Sequence, residues 1–573
     1  MTLKRTITYL LSFVLVSLSS TTLIAQTDYK DLGVKVDSIF LASLGEQTPG
    51  AAVAITLNGD LVLSRQYGMA NLEHKIPITE ETKFHLVSAS KQFTAYAILK
   101  LENQNLLSLN DNVHKYLPEL HDFGITIEQL LTHTSGLRQQ TSLESMVGFW
   151  DGQILAQGRA LELIYGHQEL NFSPGSKFRY SDSGYTLLAE IIKRVTDQPF
   201  DIWMQNNVFG PIKMSNTSIV TNYKKIVPNK AEPYDINRDG YSRDSGGLWC
   251  FYGGTGVYST AFDLSKWLTF LEYPKGEDSI IVSRMEEKAT LNNGQTISWG
   301  LGLTINEGVG GEERIWHAGD SPGYHAWVGR YPSAGLGIVI LTNLNSFNPE
   351  FAADEIAELF IPKIEPSGSQ FSVPYDKFES TVLDELVGWY EVDLEPIWYI
   401  NQGLWEFWQE GDSLFFAPDA GTKIALQAIS DSTFYIENDP VLISFHQNKL
   451  GVFDALTLTA PEGKQTARKI TDGSFKFQPS KAQELTGKYY SPELKIEYEI
   501  FTSDEQVMVR HNSPQVNRKW NDFSLQAINQ DFMMSNKYFF KYIRFERNSK
   551  GKVIGLRVTS GNYRIENLWF EKI

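Results

Sequence analysis

The pattern of apolar and polar positions changes its period along the chain, and each period predicts a different element. Residues 31–46 place apolar side chains on one face at helical spacing, which predicts a helix. Two short apolar runs follow at 51–57 and 61–67, separated by Asn58-Gly59, and both turn residues tolerate the positive φ of a tight hairpin. From 80 to 203 the pattern is mostly helical, interrupted by clusters of Gly, Pro and Ser.

A different pattern begins at Ser298, where short β runs alternate with glycine-rich turns. These runs are 299–305, 314–318, 325–331 and 336–342. A helix follows them, with Asn348 as its N-cap and Pro349 in its first turn. A helix and a hairpin therefore open residues 28–361, and a meander and a helix close them. This order predicts one α+β unit, in which an antiparallel sheet is built from both ends of the segment and a helical lobe is inserted between them.

The rest of the chain is predicted to be a linker and two β domains. Residues 362–382 carry several prolines among polar residues, which predicts a linker. Beyond them the chain is almost entirely short, aromatic-rich β runs with an internal repeat. The segment Leu426-Gln427-Ala428-Ile429 recurs identically at 525–528, and a second pair of similar segments lies at the same offset of 99 residues. The repeat predicts two small antiparallel, lipocalin-like β-barrels of eight strands, at 383–476 and 483–573.

Composition limits the classes of function. The chain has 573 residues and a formal net charge of −17, and its Lys and Arg residues form no clustered run. Nucleic acid is therefore not an expected partner, because a surface that follows phosphates needs such a cluster. Cys250 is the only cysteine, so the chain can form no internal disulfide and no cysteine-based metal cluster.

The first 25 residues have the pattern of a secretory signal peptide. Lys4 and Arg5 give a positive start, residues 9–16 are apolar, and the small residue Ala25 ends the segment. The pattern predicts export to a periplasmic or secreted location, with no stable membrane span after cleavage. An uncleaved anchor is the alternative, although the apolar stretch is short for a spanning helix.

Ser88 and Lys91 are the first candidates for chemistry. They stand three residues apart at the start of a predicted helix, so both side chains share one face and the amine can reach the hydroxyl. A serine is a good nucleophile only when a base takes its proton, and a lysine is such a base only when its pKa is lowered. The apolar helix after Lys91 predicts that burial. The same spacing recurs at Ser549 and Lys552, but there the pair lies in a predicted turn between strands.

Two further motifs follow in the chain. Tyr180 and Asp182 stand in a loop before a predicted helix, and a tyrosine hydroxyl beside a lysine amine can relay a proton to a leaving group. His317 and Gly319 end a strand of the meander. The edge of that strand offers backbone N–H groups to an oxyanion, and the glycine lets a substrate lie close to it.

The ordered set Ser88-x-x-Lys91, Tyr180-x-Asp182 and His317-x-Gly319 resembles the motifs of the serine β-lactamase and penicillin-binding-protein superfamily. The resemblance is closer to the branch of class C β-lactamases, D-aminopeptidases and related esterases, and it covers roughly residues 30–360. The segments 130–137 and 253–256 are also typical of this branch. D-aminopeptidases that resemble this region carry two β-barrel domains after it, one of which can wall the active site, and the repeat described above has that layout.

The resemblance implies a β-lactamase-like α+β fold and an acyl-enzyme mechanism. Ser88 would attack the substrate carbonyl, Lys91 would activate it, and Tyr180 would pass the proton to the leaving group. His317 would line the strand that binds substrate, and the backbone N–H groups of Ser88 and Asp320 would form the oxyanion hole. No metal or organic cofactor is implied.

Two residues depart from the usual motifs, Asp182 from that of the branch and His317 from that of the wider superfamily. Asp182 stands where asparagine is usual, and an ionised carboxylate cannot donate a hydrogen bond to a substrate carbonyl. It could hold Lys91 charged, which would weaken the base, or it could pair with a substrate ammonium. His317 stands where other members have lysine. A neutral histidine attracts a substrate carboxylate less strongly, which argues against strong β-lactamase or carboxypeptidase activity.

The predicted function is an exported serine hydrolase that acts on small peptides or amides, D-residues included, or on esters. Two alternatives stay open: a receptor or scaffold that binds penicillin or peptidoglycan fragments with little turnover, and a β-lactam hydrolase. Ser88, Lys91 and Tyr180 favour the enzyme, whereas Asp182 keeps the receptor in consideration.

Overall fold

The computed structural model describes residues 29–148, 153–244, 249–362, 380–393, 403–418, 422–437, 441–460, 463–471, 477–512 and 522–573. The predicted signal segment and most of the predicted linker lie outside the described residues. Within the described ranges, no helix combines the length and the apolar character that crossing a membrane requires.

The α-helices of the described residues are α1 (Tyr29–Leu41), α2 (Lys91–Asn103), α3 (Ile127–Leu131), α4 (Gln140–Met146), α5 (Gln157–Tyr165), α6 (Asp182–Thr196), α7 (Phe200–Met204), α8 (Ala261–Glu272), α9 (Glu277–Met285), α10 (Pro349–Ala357), α11 (Ser380–Leu386) and α12 (Pro479–Leu485). The strands up to residue 362 are β1 (Ala51–Leu57), β2 (Asp60–Tyr67), β3 (Met69–Asn71), β4 (Ile76–Pro77), β5 (Phe84–His85), β6 (Leu155–Ala156), β7 (Ser218–Ile219), β8 (Tyr234–Asn237), β9 (Gly240–Arg243), β10 (Trp249–Cys250), β11 (Val257–Ser259), β12 (Thr304–Glu307), β13 (Glu313–Ser321), β14 (Tyr324–Tyr331) and β15 (Leu336–Thr342).

A six-stranded antiparallel sheet forms the base of the α+β region, which we define as residues 29–362. Its strand order is β12-β13-β14-β15-β1-β2. The first strand of the region pairs with the last strand of the meander, with Ala51 opposite Thr342. The prediction that both ends of the segment build one sheet is therefore confirmed. Helices α1 and α10 cover one face of the sheet through Phe40 and Ile356, and the helical lobe packs on the other face around Phe93.

The predicted hairpin forms between β1 and β2, and both of its turn residues, Asn58 and Gly59, have positive φ. The prediction fits less well at the edge of the sheet. The run 299–305 is a strand only from Thr304 onward. Gly302 adopts a φ of +79°, so a glycine turn stands where a strand was expected.

Two closed eight-stranded barrels follow, as the repeat predicts. The first barrel consists of β16 (Gly388–Asp393), β17 (Leu404–Glu410), β18 (Ser413–Ala417), β19 (Ile424–Ser430), β20 (Thr433–Ile436), β21 (Leu442–Gln447), β22 (Phe453–Ala460) and β23 (Gly463–Thr471). The second consists of β24 (Gly487–Ser491), β25 (Ile496–Ser503), β26 (Gln506–His511), β27 (Phe523–Ala527), β28 (Phe532–Ser535), β29 (Tyr542–Arg547), β30 (Val553–Thr559) and β31 (Leu568–Lys572).

The repeated residues play matching parts in the two barrels. Leu426 and Leu525 are both buried on the fourth strand of their barrel. Tyr390 donates its hydroxyl to the carbonyl of Leu386 at 2.9 Å, and Tyr489 donates to the carbonyl of Leu485 at 2.6 Å. The repeat therefore preserves the core of the barrel and the hydrogen bond that ties the preceding helix to its first strand.

The second barrel contacts both the α+β region and the first barrel. Leu143 and Met146 of α4 share one apolar core with the barrel residues Tyr498 and Phe540. The Tyr498 hydroxyl donates to the carbonyl of Met146 at 2.7 Å. On its other side the barrel shares a small apolar cluster with Leu404 of the first barrel.

Candidate active site

Ser88 and Lys91 meet where a short 3-10 turn, Val87–Ser90, continues into α2. The Lys91 amine donates a hydrogen bond to Ser88 Oγ at 3.1 Å. Lys91 is fully buried, whereas Ser88 is partly exposed. The site thus combines a nucleophile that a substrate can reach with a base that water cannot.

The backbone before Ser88 is strained. Val87 has a φ of +48°, a region that a β-branched residue rarely adopts. Strain of this kind persists only where the surrounding structure enforces it, and it is found at functional sites. The neighbouring edge of β13 provides that constraint, because a Cβ on Gly319 would lie 2.0 Å from the carbonyl oxygen of Leu86 and 3.1 Å from the Ser88 nitrogen. Gly319 is therefore required by the close packing of β13 against the nucleophile turn.

The Lys91 amine has three acceptors around it. Besides Ser88 Oγ, it donates to Asp182 Oδ1 at 2.5 Å and to the carbonyl of Gly254 at 3.0 Å. A neutral amine has two hydrogens and one lone pair. If Asp182 and Gly254 accept those two hydrogens, the lone pair faces the Ser88 hydroxyl, which is the arrangement a general base needs.

The pKa values of the pair Lys91 and Asp182 reflect burial and charge together. Burial lowers the pKa of Lys91, and this effect outweighs the opposing charge and hydrogen bond of Asp182. Burial raises the pKa of Asp182, but the Lys91 ammonium, Arg564 and Gln139 together hold that pKa below its usual value. Asp182 therefore stays ionised, and the Lys91 ammonium releases its proton more readily than an exposed lysine would.

Gln139 holds Asp182 in place, a role that no motif in the sequence indicates. Its amide donates to Asp182 Oδ2 at 2.6 Å and accepts from the Asp182 backbone nitrogen at 2.6 Å. Both carboxylate oxygens of Asp182 are thus occupied by Gln139 and Lys91. The geometry favours a role for Asp182 in positioning the lysine, whereas its predicted role in substrate binding stays a prediction.

Tyr180 lies against the lysine, with its ring centroid 4.7 Å from Lys91 Nζ. It precedes α6, whose N-cap Ser181 accepts a hydrogen bond from the backbone of Ser183. Burial raises the pKa of Tyr180 well above its usual value, Asp182 adds to the rise, and the Ser88 hydroxyl opposes it. The Tyr180 hydroxyl is buried and has no partner of standard hydrogen-bond geometry among the described residues. Tyr180 is therefore a neutral phenol that can donate a proton.

His317 and Asp320 lie on the edge strand β13. Burial lowers the pKa of His317 to about 3, so its ring is neutral. Its Nδ1 contacts the carbonyl of Ala318, and its Nε2 is buried without a partner among the described residues. The Asp320 carboxylate is exposed and lies 3.3 Å from His325 Nδ1, and the oxyanion role of its backbone N–H stays a prediction.

His133 and Trp299 complete the wall behind Tyr180. The ring of His133 lies 4.4 Å from the ring of Tyr180 and 4.8 Å from that of Trp299. His133 Nδ1 accepts a hydrogen bond from the Ser181 backbone at 3.2 Å, and burial lowers the pKa of this histidine well below its usual value. His133 is thus a neutral residue that packs against Tyr180 from behind.

Arg564 of the second barrel also reaches the site, a contact that no motif in the sequence indicated. Its guanidinium carbon lies 5.4 Å from the ring centroid of Tyr180. Its positive charge lowers the pKa values of Lys91, Asp182 and Tyr180. The site is therefore built from two domains, the α+β region and the second barrel.

Comparisons with known proteins find relatives of the α+β region. The family model described as Beta-lactamase matches residues 36–362. The chain is 31% identical over 309 residues to Protein flp of Staphylococcus aureus (strain COL), a match that covers 52% of this chain and 60% of that protein. It is 27% identical over 319 residues to Penicillin-binding protein 4* of Bacillus subtilis (strain 168), covering 52% of this chain and 70% of that protein.

A solved structure shows the same fold. The octameric penicillin-binding protein homologue from Pyrococcus abyssi has a TM-score of 0.52 and 21% sequence identity to this chain, and the match covers 77% of this chain and 100% of that one. The match to the curated flp protein, in contrast, spans only 60% of that relative's length.

Proposed function

Because the chain belongs to the Beta-lactamase family through residues 36–362, we propose that it is a serine hydrolase that forms an acyl-enzyme on Ser88. Small peptides and amides, D-residues included, and esters are the substrates we propose. One observation carries the proposal: the buried Lys91 amine lies 3.1 Å from Ser88 Oγ, with Asp182 and Gly254 placed to accept its remaining hydrogens.

Acylation begins with proton transfer from the Ser88 hydroxyl to the neutral Lys91 amine. Ser88 Oγ forms a bond to the substrate carbonyl carbon, and the carbonyl π electrons move to the oxygen. We propose that the backbone N–H groups of Ser88 and Asp320 stabilise this oxyanion, a contribution that in other hydrolases is worth roughly 10²–10³ in rate.

The leaving group then departs with a proton. When the bond from carbon to the leaving nitrogen or oxygen breaks, Tyr180 donates its phenol proton to the leaving atom, and the Lys91 ammonium returns a proton to Tyr180. Water attacks the acyl-enzyme by the reverse sequence of proton transfers, which frees Ser88. The raised pKa of Tyr180 suits this part, because the residue begins each cycle protonated.

Asp182 gives specific support to a second candidate, a receptor that is acylated but turns over slowly. Its carboxylate raises the pKa of Lys91, so part of the lysine stays charged and cannot accept the Ser88 proton. Such a receptor would bind a penicillin or a peptidoglycan fragment with little turnover, because only the neutral fraction of Lys91 can act as a base. The opposing effects of burial and of Arg564 on Lys91 are the reason we place the enzyme first.

Mass spectrometry after incubation with a fluorophosphonate or a penicillin tests the proposal, with Ser88→Ala as the control. Turnover is assayed in parallel on D-alanyl amides and short acyl esters. One adduct on Ser88 together with turnover supports the enzyme, and the preferred substrate separates peptidase from esterase. An adduct without turnover favours the receptor, whereas turnover of cephalosporins favours a β-lactam hydrolase. If neither the fluorophosphonate nor the penicillin modifies Ser88, the proposed chemistry is refuted.

We also propose that the protein is exported. The support is the positive start at Lys4 and Arg5 followed by the apolar residues 9–16. Expression in a bacterial host, followed by cell fractionation and N-terminal sequencing of the recovered protein, tests this proposal. A protein that begins near residue 26 and is found outside the cytoplasm supports it, and an intact N-terminus on cytoplasmic protein contradicts it.

A further inference from the structure

The second barrel brings a cation to a site where the other described residues offer a substrate no free positive charge. Lys91 is paired with Asp182, and His317 and His133 are neutral because burial lowers their pKa values. Among the described residues, the Arg564 guanidinium makes neither an ion pair nor a hydrogen bond, and its contact is with the face of Tyr180.

The backbone around Arg564 is fixed to the α+β region. The Arg564 carbonyl accepts hydrogen bonds from the Gln139 backbone at 2.9 Å and from Asn171 Nδ2 at 3.1 Å. Two residues further on, the Glu566 backbone donates to Asn171 Oδ1 at 2.7 Å, and the Glu566 carboxylate pairs with Arg179 at 3.1 Å. Since the backbone is held at both points, the Arg564 side chain extends from a fixed position beside the site.

Two other arginines of this interface are paired with carboxylates. Arg138 pairs with Glu493 at 2.9 Å, and Arg557 pairs with both Glu169 and Glu546. Arg564 differs from these arginines because it forms no ion pair with a carboxylate of the described residues, and its guanidinium lies over the ring of Tyr180. A planar guanidinium donates two parallel hydrogen bonds to a carboxylate, so an anion of that shape is its preferred ligand.

We propose that Arg564 binds a carboxylate of the substrate, and that the protein prefers acyl substrates whose acyl part carries a free carboxylate a few atoms from the scissile carbonyl. The inference rests on the proposed serine hydrolase function and names its substrate class. The Arg564 guanidinium carbon and the Lys91 amine lie 5.4 Å and 4.7 Å from the same Tyr180 ring centroid, so a short acyl chain is the kind of substrate we expect to reach from Ser88 to Arg564. The second barrel thus supplies a positive charge for the substrate carboxylate, which the neutral His317 does not provide.

The test compares two esters that share one leaving group: the p-nitrophenyl half ester of glutaric acid and its methyl ester. The wild-type chain is expected to have a higher kcat/KM for the half ester. Arg564→Gln is expected to lower the ratio of kcat/KM for the half ester over that for the methyl ester by about 10- to 100-fold. The ratio cancels any effect of Arg564 on the pKa of Lys91, because both esters depend on the same base. Arg564→Lys, which retains the charge, is expected to keep part of the preference.

Arg557→Gln is the matched control. Arg557 belongs to the same barrel and also bridges to the α+β region through Glu169, but its pairing lies outside the site. This variant is expected to keep the wild-type ratio. An unchanged ratio in Arg564→Gln, or an equal fall of the ratio in Arg557→Gln, would overturn the inference alone. If neither ester releases p-nitrophenol or leaves an adduct on Ser88, the proposed function fails and the inference fails with it.

Discussion

Asp182 controls how much of Lys91 is available as a base. Because its charge and hydrogen bond raise the pKa of Lys91, Asp182→Asn is expected to lower that pKa. Lys91 accepts the Ser88 proton only when it is neutral, so the acid limb of kcat/KM is expected to move to lower pH. The measurement is kcat/KM for an activated ester as a function of pH, in the wild type and the variant.

The control for this profile is Glu119→Gln, which removes a carboxylate from an ion pair with Arg194 far from the amine of Lys91. Its acid limb is expected to match that of the wild type. If Asp182→Asn leaves the acid limb in place, Asp182 does not set the protonation of the base. The receptor candidate would then lose the observation that favours it.

Tyr180 is expected to matter most when the leaving group needs a proton. An amine leaves only when it is protonated, whereas p-nitrophenolate leaves as an anion. Tyr180→Phe is therefore expected to lower kcat/KM for a D-alanyl amide by about 10²- to 10⁴-fold, the usual contribution of general acid catalysis, and for a p-nitrophenyl ester by much less. Steady-state kinetics on the two substrates measure this difference. Equal losses on both would show that Tyr180 holds Lys91 and does not transfer the proton.

The edge of β13 and the nucleophile turn form one packed element. A Cβ on Gly319 would lie 2.0 Å from the carbonyl oxygen of Leu86, and backbone cannot move aside cheaply. Gly319→Ala is therefore expected to displace Ser88 and to reduce acylation by a fluorophosphonate at least about 100-fold, since small displacements of reacting groups have effects of that size. The measurement is the rate of adduct formation on Ser88.

Gly158→Ala is the control for that experiment. Gly158 lies in α5, and a Cβ there meets no heavy atom within 4 Å. Because Gly158 stands in the first turn of α5 and an added Cβ meets open space, this variant is expected to keep its acylation rate and to fold normally. Normal acylation of Gly319→Ala would mean that the turn tolerates displacement and that its strain is not functional.

Elements were predictable where a local pattern decides them. Asn58-Gly59 predicts the hairpin, and Asn348 predicts the N-terminus of α10. Both predictions hold because a turn type or a helix cap depends on a few adjacent residues. The run 299–305 was misassigned because its apolar pattern does not show that Gly302 turns the chain. Trp299 therefore packs behind the site, with its indole donating to the carbonyl of Leu131 at 3.3 Å.

The site was predictable to the extent that one turn of helix carries it. Ser88 and Lys91 could be paired from their spacing alone, since the helix itself brings them together. Gln139 and Arg564 could not be assigned to the site from the sequence, because their contacts depend on how loops and domains pack. Neither residue belongs to a known catalytic motif. The sequence accordingly predicted which groups react, but not which groups hold them or supply the additional charge.

At the scale of the whole molecule, the site depends on the docking of the second barrel. Arg138 and Glu493 form a pair across this interface, with their side chains 1% and 6% exposed. Arg138 also donates to the carbonyl of Glu566, in the loop that carries Arg564. The interface that fixes the barrel is thus the one that positions the arginine at the nucleophile.

Breaking the pair is expected to affect stability and substrate preference together. Glu493→Gln removes the nearer carboxylate of the buried Arg138 charge, at 2.9 Å, and leaves the exposed Glu169, at 3.8 Å, as its ionic partner. Removing one partner from a buried pair costs roughly 3–5 kcal/mol. The value is expected near 3 kcal/mol, because backbone carbonyls still accept from Arg138. Urea denaturation measures the loss, with Glu546→Gln as the control, since that half-exposed pair with Arg557 is worth at most about 1 kcal/mol.

A loosened barrel no longer holds Arg564 over Tyr180, so Glu493→Gln should also reduce the preference for the glutarate half ester. If stability falls while the preference is retained, the loop of Arg564 is held by Gln139 and Asn171 alone, and the barrel body is dispensable to the site.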